Sequence, residues 1–346
     1  MKKKLLALLC ILSLSVAALA GCGSSDAPAS GSAAADQASA AEETADPVDV
    51  NVMALKGPTA MGMVKFMNDA ESGELTDNNY NFSITATDEV SAALIQGKTD
   101  IAAVPANLAS VLYNNIDGGV QVLAINTLGV LYIVENGDSV QSAQDLRGKT
   151  IYASGKGTTP EYALNYILKQ NGIDPVSDVT IEWKSEQAEC LSAIQNDANA
   201  IAMLPQPFVT TAQAQNPDLR VALDLTAEWD KLQADSDAPS SLVTGVVVAR
   251  TDFVEEHPET VAAFMKHYQE SVDYVNDNVS DAAKLVGNYE IVTAEVAEKA
   301  IPECNIVFIS GDEMKEKLSG YLTVLFEQNA ESVGGALPDD AFYYSR

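Results

Sequence analysis

Leu94-Ile95-Gln96-Gly97 followed by Ile101-Ala102-Ala103-Val104-Pro105 is answered roughly 100 residues later by Ala193-Ile194-Gln195-Asn196 and Ile201-Ala202-Met203-Leu204-Pro205. Each half reads as a helix end, a tight turn, a strand of small apolar residues and a proline at the strand's carboxyl end. The loops Gly57-Pro58-Thr59 and Gly157-Thr158-Thr159 are offset by a similar distance. A chain that repeats such a unit is expected to build two similar lobes, with Pro105-Ala106-Asn107 and Pro205-Gln206-Pro207 in equivalent places.

Around this echo, strand and helix patterns alternate. Residues 50–55 read as a buried strand. The loop Lys56-Gly57-Pro58-Thr59-Ala60 follows, then an amphipathic helix with Thr59 as N-cap and Met63, Phe66, Met67 and Ala70 at helical spacing. Strand 82–86 with helix 90–96, strand 101–104 with helix 107–114, and a long apolar strand region 120–134 complete the first run. The second run comprises strand 150–153, a helix opening at Thr158-Thr159-Pro160-Glu161, strand 179–183, helix 188–195, strand 200–204, helix 208–215 and strand 219–223. That first helix can open with a capping box from Thr158 to Glu161, or with Thr159 as cap and Pro160 in the first helical position.

Strand 246–249 and a long helix begun by Pro258, with Val261, Phe264, Met265, Tyr268, Val272 and Val275 on one face, are expected to return to the first lobe. Helices at 282–286, 294–300 and 312–329 and an extended stretch at 306–309 finish the chain. The expected class is α/β, two lobes of mainly parallel sheet with helices on both faces, joined by two crossing segments near 134–136 and 243–245. Lobe 1 then takes 48–135 plus 246–346, and lobe 2 takes 136–245.

Upstream, Lys2, Lys3 and Lys4 precede an apolar run, 5–20, too short to span a membrane, which ends in Leu19-Ala20-Gly21-Cys22. This arrangement resembles a bacterial lipobox. It implies a signal peptide at 1–21, lipidation of Cys22 and an extracytoplasmic place on the cell membrane. Residues 22–47, almost all small, polar or acidic, are expected to form a disordered tether. The chain carries 49 acidic against 20 basic side chains, a charge of −29; removing 1–21 takes three lysines and no acid, giving −29 − 3 = −32. Such a charge argues against nucleic acid, or an anionic membrane, held through a basic patch. After Cys10 and Cys22 are accounted for, Cys190 and Cys304 remain, in different lobes and without zinc-type spacing.

Two α/β lobes enclose a cleft at the carboxyl ends of their strands, where loops open helices. Backbone N–H groups there suit acceptor-rich ligands, which makes Gly57, Thr59, Asn107, Gly157, Thr158, Thr159 and Gln206 the candidates. Each threonine serves equally as an N-cap. Tyr132, Trp183 and Phe208 could stack on a flat ligand, although a core role suits them better. Enzyme signatures are missing: His257 and His267 stand in no HExxH or triad context, and no GxSxG elbow occurs. Gly148-Lys149-Thr150 mimics a P-loop end, but Ala143 holds the place of the first glycine and a strand follows.

The lipobox, the acidic tether, the doubly crossed lobes, the Gly-Pro-Thr loop and the Gly155-Lys156-Gly157-Thr158-Thr159-Pro160 loop together resemble the solute-binding lipoproteins of ABC importers. Over about residues 48–340 the chain is most similar to the nitrate/sulfonate/taurine and thiamine-precursor group, with the type II periplasmic-binding-protein fold. The resemblance implies a ligand held by Lys56, Gly57, Pro58, Thr59, Ala60, Asp88, Glu89, Asn107, Gly155, Lys156, Gly157, Thr158, Thr159, Ser185, Glu186 and Gln206. It also implies no cofactor, no metal and no catalysis, and delivery of a sulfonate, carboxylate or thiamine-precursor-like heterocycle by a monomer to a permease and its ATPase. The chain departs from anion-binding members in having only Lys56 and Lys156 against Asp88, Glu89 and Glu186, so a neutral or zwitterionic heterocycle stays open. A ligand-sensing lipoprotein that partners a membrane receptor, and a surface enzyme, are the alternatives.

Overall fold

The computed structural model describes residues 46–345 apart from 86, 197–200 and 235–239. The signal segment, Cys22 and the tether up to residue 45 lie outside the described residues. In chain order the elements are β1 (Asp49–Leu55), α1 (Pro58–Met61), α2 (Val64–Ser72), β2 (Asn79–Thr85), α3 (Thr87–Ile95), β3 (Ile101–Pro105), α4 (Ala106–Asn115), β4 (Val120–Leu128), β5 (Leu131–Asn136), β6 (Thr150–Ser154), α5 (Thr159–Gln170), β7 (Thr180–Lys184) and α6 (Gln187–Asn196). Then come β8 (Ile201–Pro205), α7 (Phe208–Gln215), β9 (Leu219–Asp224), α8 (Leu225–Gln233), β10 (Val243–Arg250), α9 (Thr251–Glu256), α10 (Pro258–Asp277), α11 (Val279–Asn288), α12 (Ala294–Ala300), β11 (Ile306–Ile309) and α13 (Gly311–Gln328).

These strands form two sheets, ordered β11-β4-β10-β3-β1-β2 and β7-β6-β8-β5-β9. Leaving aside the edge strand β11, the orders correspond one to one: β1, β2, β3 and β4 match β6, β7, β8 and β9. In each sheet the remaining strand, β10 or β5, has just arrived from the other lobe and runs antiparallel to its neighbours. The sequence echo is visible in the pairing. Val52 faces Ile101 and Ile151 faces Ile201 in the parallel pairs, while Pro105 faces Gly245 and Pro205 faces Leu131 in the antiparallel ones. Parallel strands β3 and β8 are apolar and buried on both sides, as helix-covered central strands must be, whereas β1 alternates, with Asn51 exposed, and β6 keeps Tyr152 half-buried.

One core fills the α10 side of the first sheet with Phe66, Leu123, Phe264 and Tyr268. A second runs through both lobes, joining Val104 and Val246 to Ile133, Ile151 and Trp229, with Leu318, Tyr321 and Leu322 of α13 between them. A smaller cluster around Val134, Leu204 and Val209 lies under α6 and α7. Cys190 and Cys304 are both buried free thiols. No helix among the described residues is long and apolar enough to cross a membrane.

Several boundaries differ from the sequence reading. The apolar region 120–134 is two strands in different sheets, broken at Gly129-Val130, because only glycine fits there: a Cβ on Gly129 would lie 2.0 Å from Thr226 Oγ1 and 2.9 Å from Leu242 Cδ2. The first crossing is therefore at 129–130, upstream of the expected 134–136. The second precedes Val243, which already pairs with Leu128 in the first sheet. The helix expected from Thr59 to Ala70 is interrupted at Gly62 and Met63, where Tyr268, Val272 and Ile306 press on the backbone. Helix α8 was not anticipated; Asp224 caps it by accepting from Thr226 N at 2.8 Å and Ala227 N at 3.3 Å, and Trp229 anchors it in the core.

Candidate functional site

The loops at the strand carboxyl ends of both sheets open toward the space between the lobes, with the 129–130 crossing at its floor. In the first lobe the β1–α1 loop is tightly held. Thr59 Oγ1 donates to Leu55 O at 2.9 Å, Gly57 takes φ 132°, a left-handed value that favours glycine, and Lys56 is exposed. α1 is a single turn, too short to gather a helix dipole. Glu89 is exposed in the first turn of α3; the side chain of Asp88 lies outside the described residues. Asn107, buried at the start of α4, donates from Nδ2 to Ser332 O at 3.2 Å, while its Oδ1 has no partner.

The second lobe's loops satisfy their own amides. α5 starts with Thr158 as N-cap, Thr159 and Pro160 following, so neither expected opening is fully realised. Glu161 reaches past the cap and accepts from Gly157 N at 2.6 Å. Thr158 Oγ1 donates to Gly155 O at 2.7 Å, and buried Thr159 Oγ1 accepts from Tyr321 Oη at 3.0 Å. After β7, Glu189 Oε2 accepts from Ser185 N at 2.9 Å and, at 3.4 Å, from Glu186 N. Lys156, Gly157, Thr158, Ser185 and Glu186 are exposed, and Gly155 is half-buried. Two of the helix N-termini that would hold an anion are thus already occupied by the chain's own carboxylates.

Gln206 follows β8 directly. It is buried, and its Oε1 accepts from Thr210 Oγ1 at 2.9 Å and Thr210 N at 3.3 Å. It lines a cavity of about 450 Å³ between the lobes with Tyr132, Thr210 and Gln213 of the second lobe and Lys299 and Glu303 beside β11. Tyr132 Oη donates to Glu303 O at 3.0 Å across this gap. Burial, together with the carboxylates of Asp224 and Glu303, pushes the Tyr132 phenol well above its ordinary pKa, so it stays a neutral donor. Trp183 packs at the edge of the core and Phe208 at the start of α7, both half-buried. Among the described residues no group of three or more His, Cys, Asp or Glu converges as metal ligands would. His267 instead pairs with Asp77, at 2.9 Å, on the outer face of the first lobe.

The lobes also meet through α13, which the sequence did not single out. Besides the Tyr321–Thr159 bond, Gln328 Nε2 donates to Tyr162 O at 3.1 Å and the Tyr321 ring lies 5.7 Å from that of Trp229. The segment after α13 is fastened to the first lobe by Ser110 Oγ on Val333 O at 2.7 Å and Asn114 Nδ2 on Val333 O and Ala336 O, both at 2.8 Å. So Asn107, at the start of α4, and Thr159, at the start of α5, are both tied to the C-terminal segment.

The NMT1/THI5-like family model matches residues 88–282, which is 195 of the chain's 346 residues. The chain belongs to the NMT1/THI5-like family. Its strand order is that of the type II periplasmic binding proteins, and solved structures agree. It is similar to an ABC transporter protein from Parabacteroides distasonis, at 22% identity and a TM-score of 0.71 over 86% of this chain and 99% of that one. It resembles the periplasmic aliphatic sulphonate binding protein SsuA from Escherichia coli at 15% identity and a TM-score of 0.67, covering 86% and 96%. It also resembles the ligand-binding component of an ABC-type import system from Staphylococcus aureus, solved with zinc, at 14% identity and a TM-score of 0.65, covering 86% and 96%. At these identities the likeness is one of fold. No curated protein matched the chain by sequence.

Proposed function

We propose that this protein is the extracytoplasmic solute-binding lipoprotein of an ABC importer, which captures a small organic molecule between its lobes and hands it to a membrane permease. The observation that carries this reading is the pair of sheets with one shared strand order, joined at 129–130 and upstream of Val243, whose loops face a common cleft. Membership of the NMT1/THI5-like family supports it. A ligand touching both lobes stabilises the closed arrangement by its differential affinity, and the permease reads that state. Lipid on Cys22 and the tether of roughly 25 residues would keep the lobes within about 25–30 Å of the membrane anchor. The reading involves no catalysis.

The ligand is proposed to be neutral or zwitterionic. Glu161 and Glu189 occupy amides that an anion would need, and Glu303 sits opposite Gln206, with Lys299 as the cation lining the same cavity. A sulfonate or nitrate would enter against these carboxylates, whereas amide and hydroxyl groups of Gln206, Gln213, Thr210 and Tyr132 suit an uncharged polar solute. Thermal melting of the mature chain against taurine, nitrate, benzoate, amino acids, pyrimidines and thiamine precursors tests this, with recovery of each compound measured afterwards. The expected result is a raised melting temperature with a neutral or zwitterionic member, recovered intact. Stabilisation by the anions nitrate or benzoate alone would overturn the ligand class; consumption of a compound without stabilisation would overturn the solute-binding reading.

A further inference from the structure

The two hinge strands carry back-to-back bulges. Val243 pairs with Leu128, Gly245 with Thr127 and Val246 with Ile125, so Thr244 is the extra residue on β10 and Asn126 the extra one on β4. A bulge bends its strand and re-aims a side chain, and bulges concentrate beside functional sites. Asn126 is re-aimed toward α10, where it lies beside the Tyr268 hydroxyl.

Asn126, Thr127 and Tyr268 are each 0% exposed. Yet Asn126 Oδ1 and Thr127 Oγ1 lack a hydrogen-bond partner, and the Asn126 amide and the Tyr268 hydroxyl have only each other. Polar atoms left without full partners in one buried spot cost stability that apolar side chains of the same shape would restore, and such a cost in a folded chain calls for a use. The neighbouring backbone is cut to fit them. A Cβ on Gly245 would lie 2.5 Å from Asn126 Oδ1 and 2.7 Å from Thr59 Cγ2, so only glycine leaves room for both the amide and the candidate loop above it. That loop, 57–62, is one helical turn between two glycines. A Cβ on Gly62 would come within 3.0 Å of Ile306 Cγ2 and 3.5 Å of Tyr268 Oη.

We propose that Asn126, Thr127 and Tyr268 form a neutral hydrogen-bonding seat that receives an amide or cyclic urea group of the bound solute, and that the 57–62 turn lifts to admit it. The four atoms carry no charge and offer donors and acceptors side by side, which matches a group presenting an N–H next to a C=O and gives nothing to an anion. Thr59, already in the candidate loop, is the residue the group displaces from above Gly245. The inference rests on the solute-binding reading and names what the cleft floor recognises.

The test compares the wild-type mature chain with Asn126→Leu and Tyr268→Phe, by melting without ligand and by titration with hydantoin, uracil and nicotinamide as amide probes and taurine as a probe without one. The expected result is that Asn126→Leu melts higher than wild type when unliganded and binds the tightest amide probe roughly tenfold or more weakly, with Tyr268→Phe weakened in the same direction. A lower melting temperature for Asn126→Leu with amide affinity unchanged in Tyr268→Phe would overturn the seat, as would wild-type binding of taurine but no amide. That last outcome leaves the solute-binding reading standing. Binding of no probe by the wild type overturns the seat as stated.

Discussion

Tyr321→Phe and Thr159→Val, singly and together, test whether α13 bonds the lobes. Tyr321 Oη donates to Thr159 Oγ1 at 3.0 Å with both residues buried, one on α13 and one opening α5 of the second lobe. Removing the phenol oxygen leaves the ring against Trp229 in place and deletes a bond worth about 1 kcal/mol. It also strands the Thr159 hydroxyl without a partner, a further penalty of about 1–3 kcal/mol, so each single change is expected to cost around 2 kcal/mol. The double variant strands nothing, since two apolar groups of similar shape replace the pair. Its cost should fall short of the sum by about 1 kcal/mol or more. Urea unfolding of the four proteins, without solute, measures this. Costs that add to within about 0.5 kcal/mol would show that the two groups do not interact and would refute the claim that the C-terminal helix ties the lobes together.

Glu135, buried in the second lobe, accepts from Ser139 Oγ at 2.7 Å and Val140 N at 3.0 Å and is paired with Arg220. Although burial raises its pKa, the Ser139, Val140 and Arg220 contacts outweigh this and hold the carboxyl below its usual range. Its contribution is therefore present above the unfolded carboxylate value and lost as pH falls through the folded one. Glu135→Gln should lose on the order of 2 kcal/mol at neutral pH, with the wild-type and variant unfolding curves converging in acid; a gap independent of pH would contradict this. Gly129→Ala should destabilise by about 1–3 kcal/mol, because the new methyl meets Thr226 and Leu242, and a melt within a degree of wild type would show that the crossing tolerates a side chain.

The architecture was largely legible because it rests on periodicity and repetition. Ile101-Ala102-Ala103-Val104-Pro105 and its echo specify buried strands and their carboxyl ends, and the pairing of Pro105 with Gly245 and Pro205 with Leu131 reproduces that equivalence. The break within 120–134 was hidden because both strands are mostly apolar; what separates them is a close approach of Thr226, more than 90 residues away, to Gly129. Among the candidate residues, Gln206 lines the inter-lobe cavity, while Thr159 and Asn107 bond the C-terminal segment. No local pattern announces that segment's docking, which depends on contacts between residues more than 150 positions apart. Asn126 did leave a trace, an amide directly after the apolar run Val122 to Ile125, but its meaning depends on a bulge that only the register reveals.

The central claim is that the lobes close on a solute. Cys190 and Cys304 are buried, with thiols pushed up to about 11 and about 12 by burial, so they should spare introduced labels. Dyes placed through Lys98→Cys in the first lobe and Lys169→Cys in the second, both exposed, report lobe separation by energy transfer. Adding the solute that gives the largest melting shift should move the labelled molecules to one new, narrower transfer value, saturating at one solute per chain. Saturable binding of that solute with the transfer distribution unchanged would contradict the account.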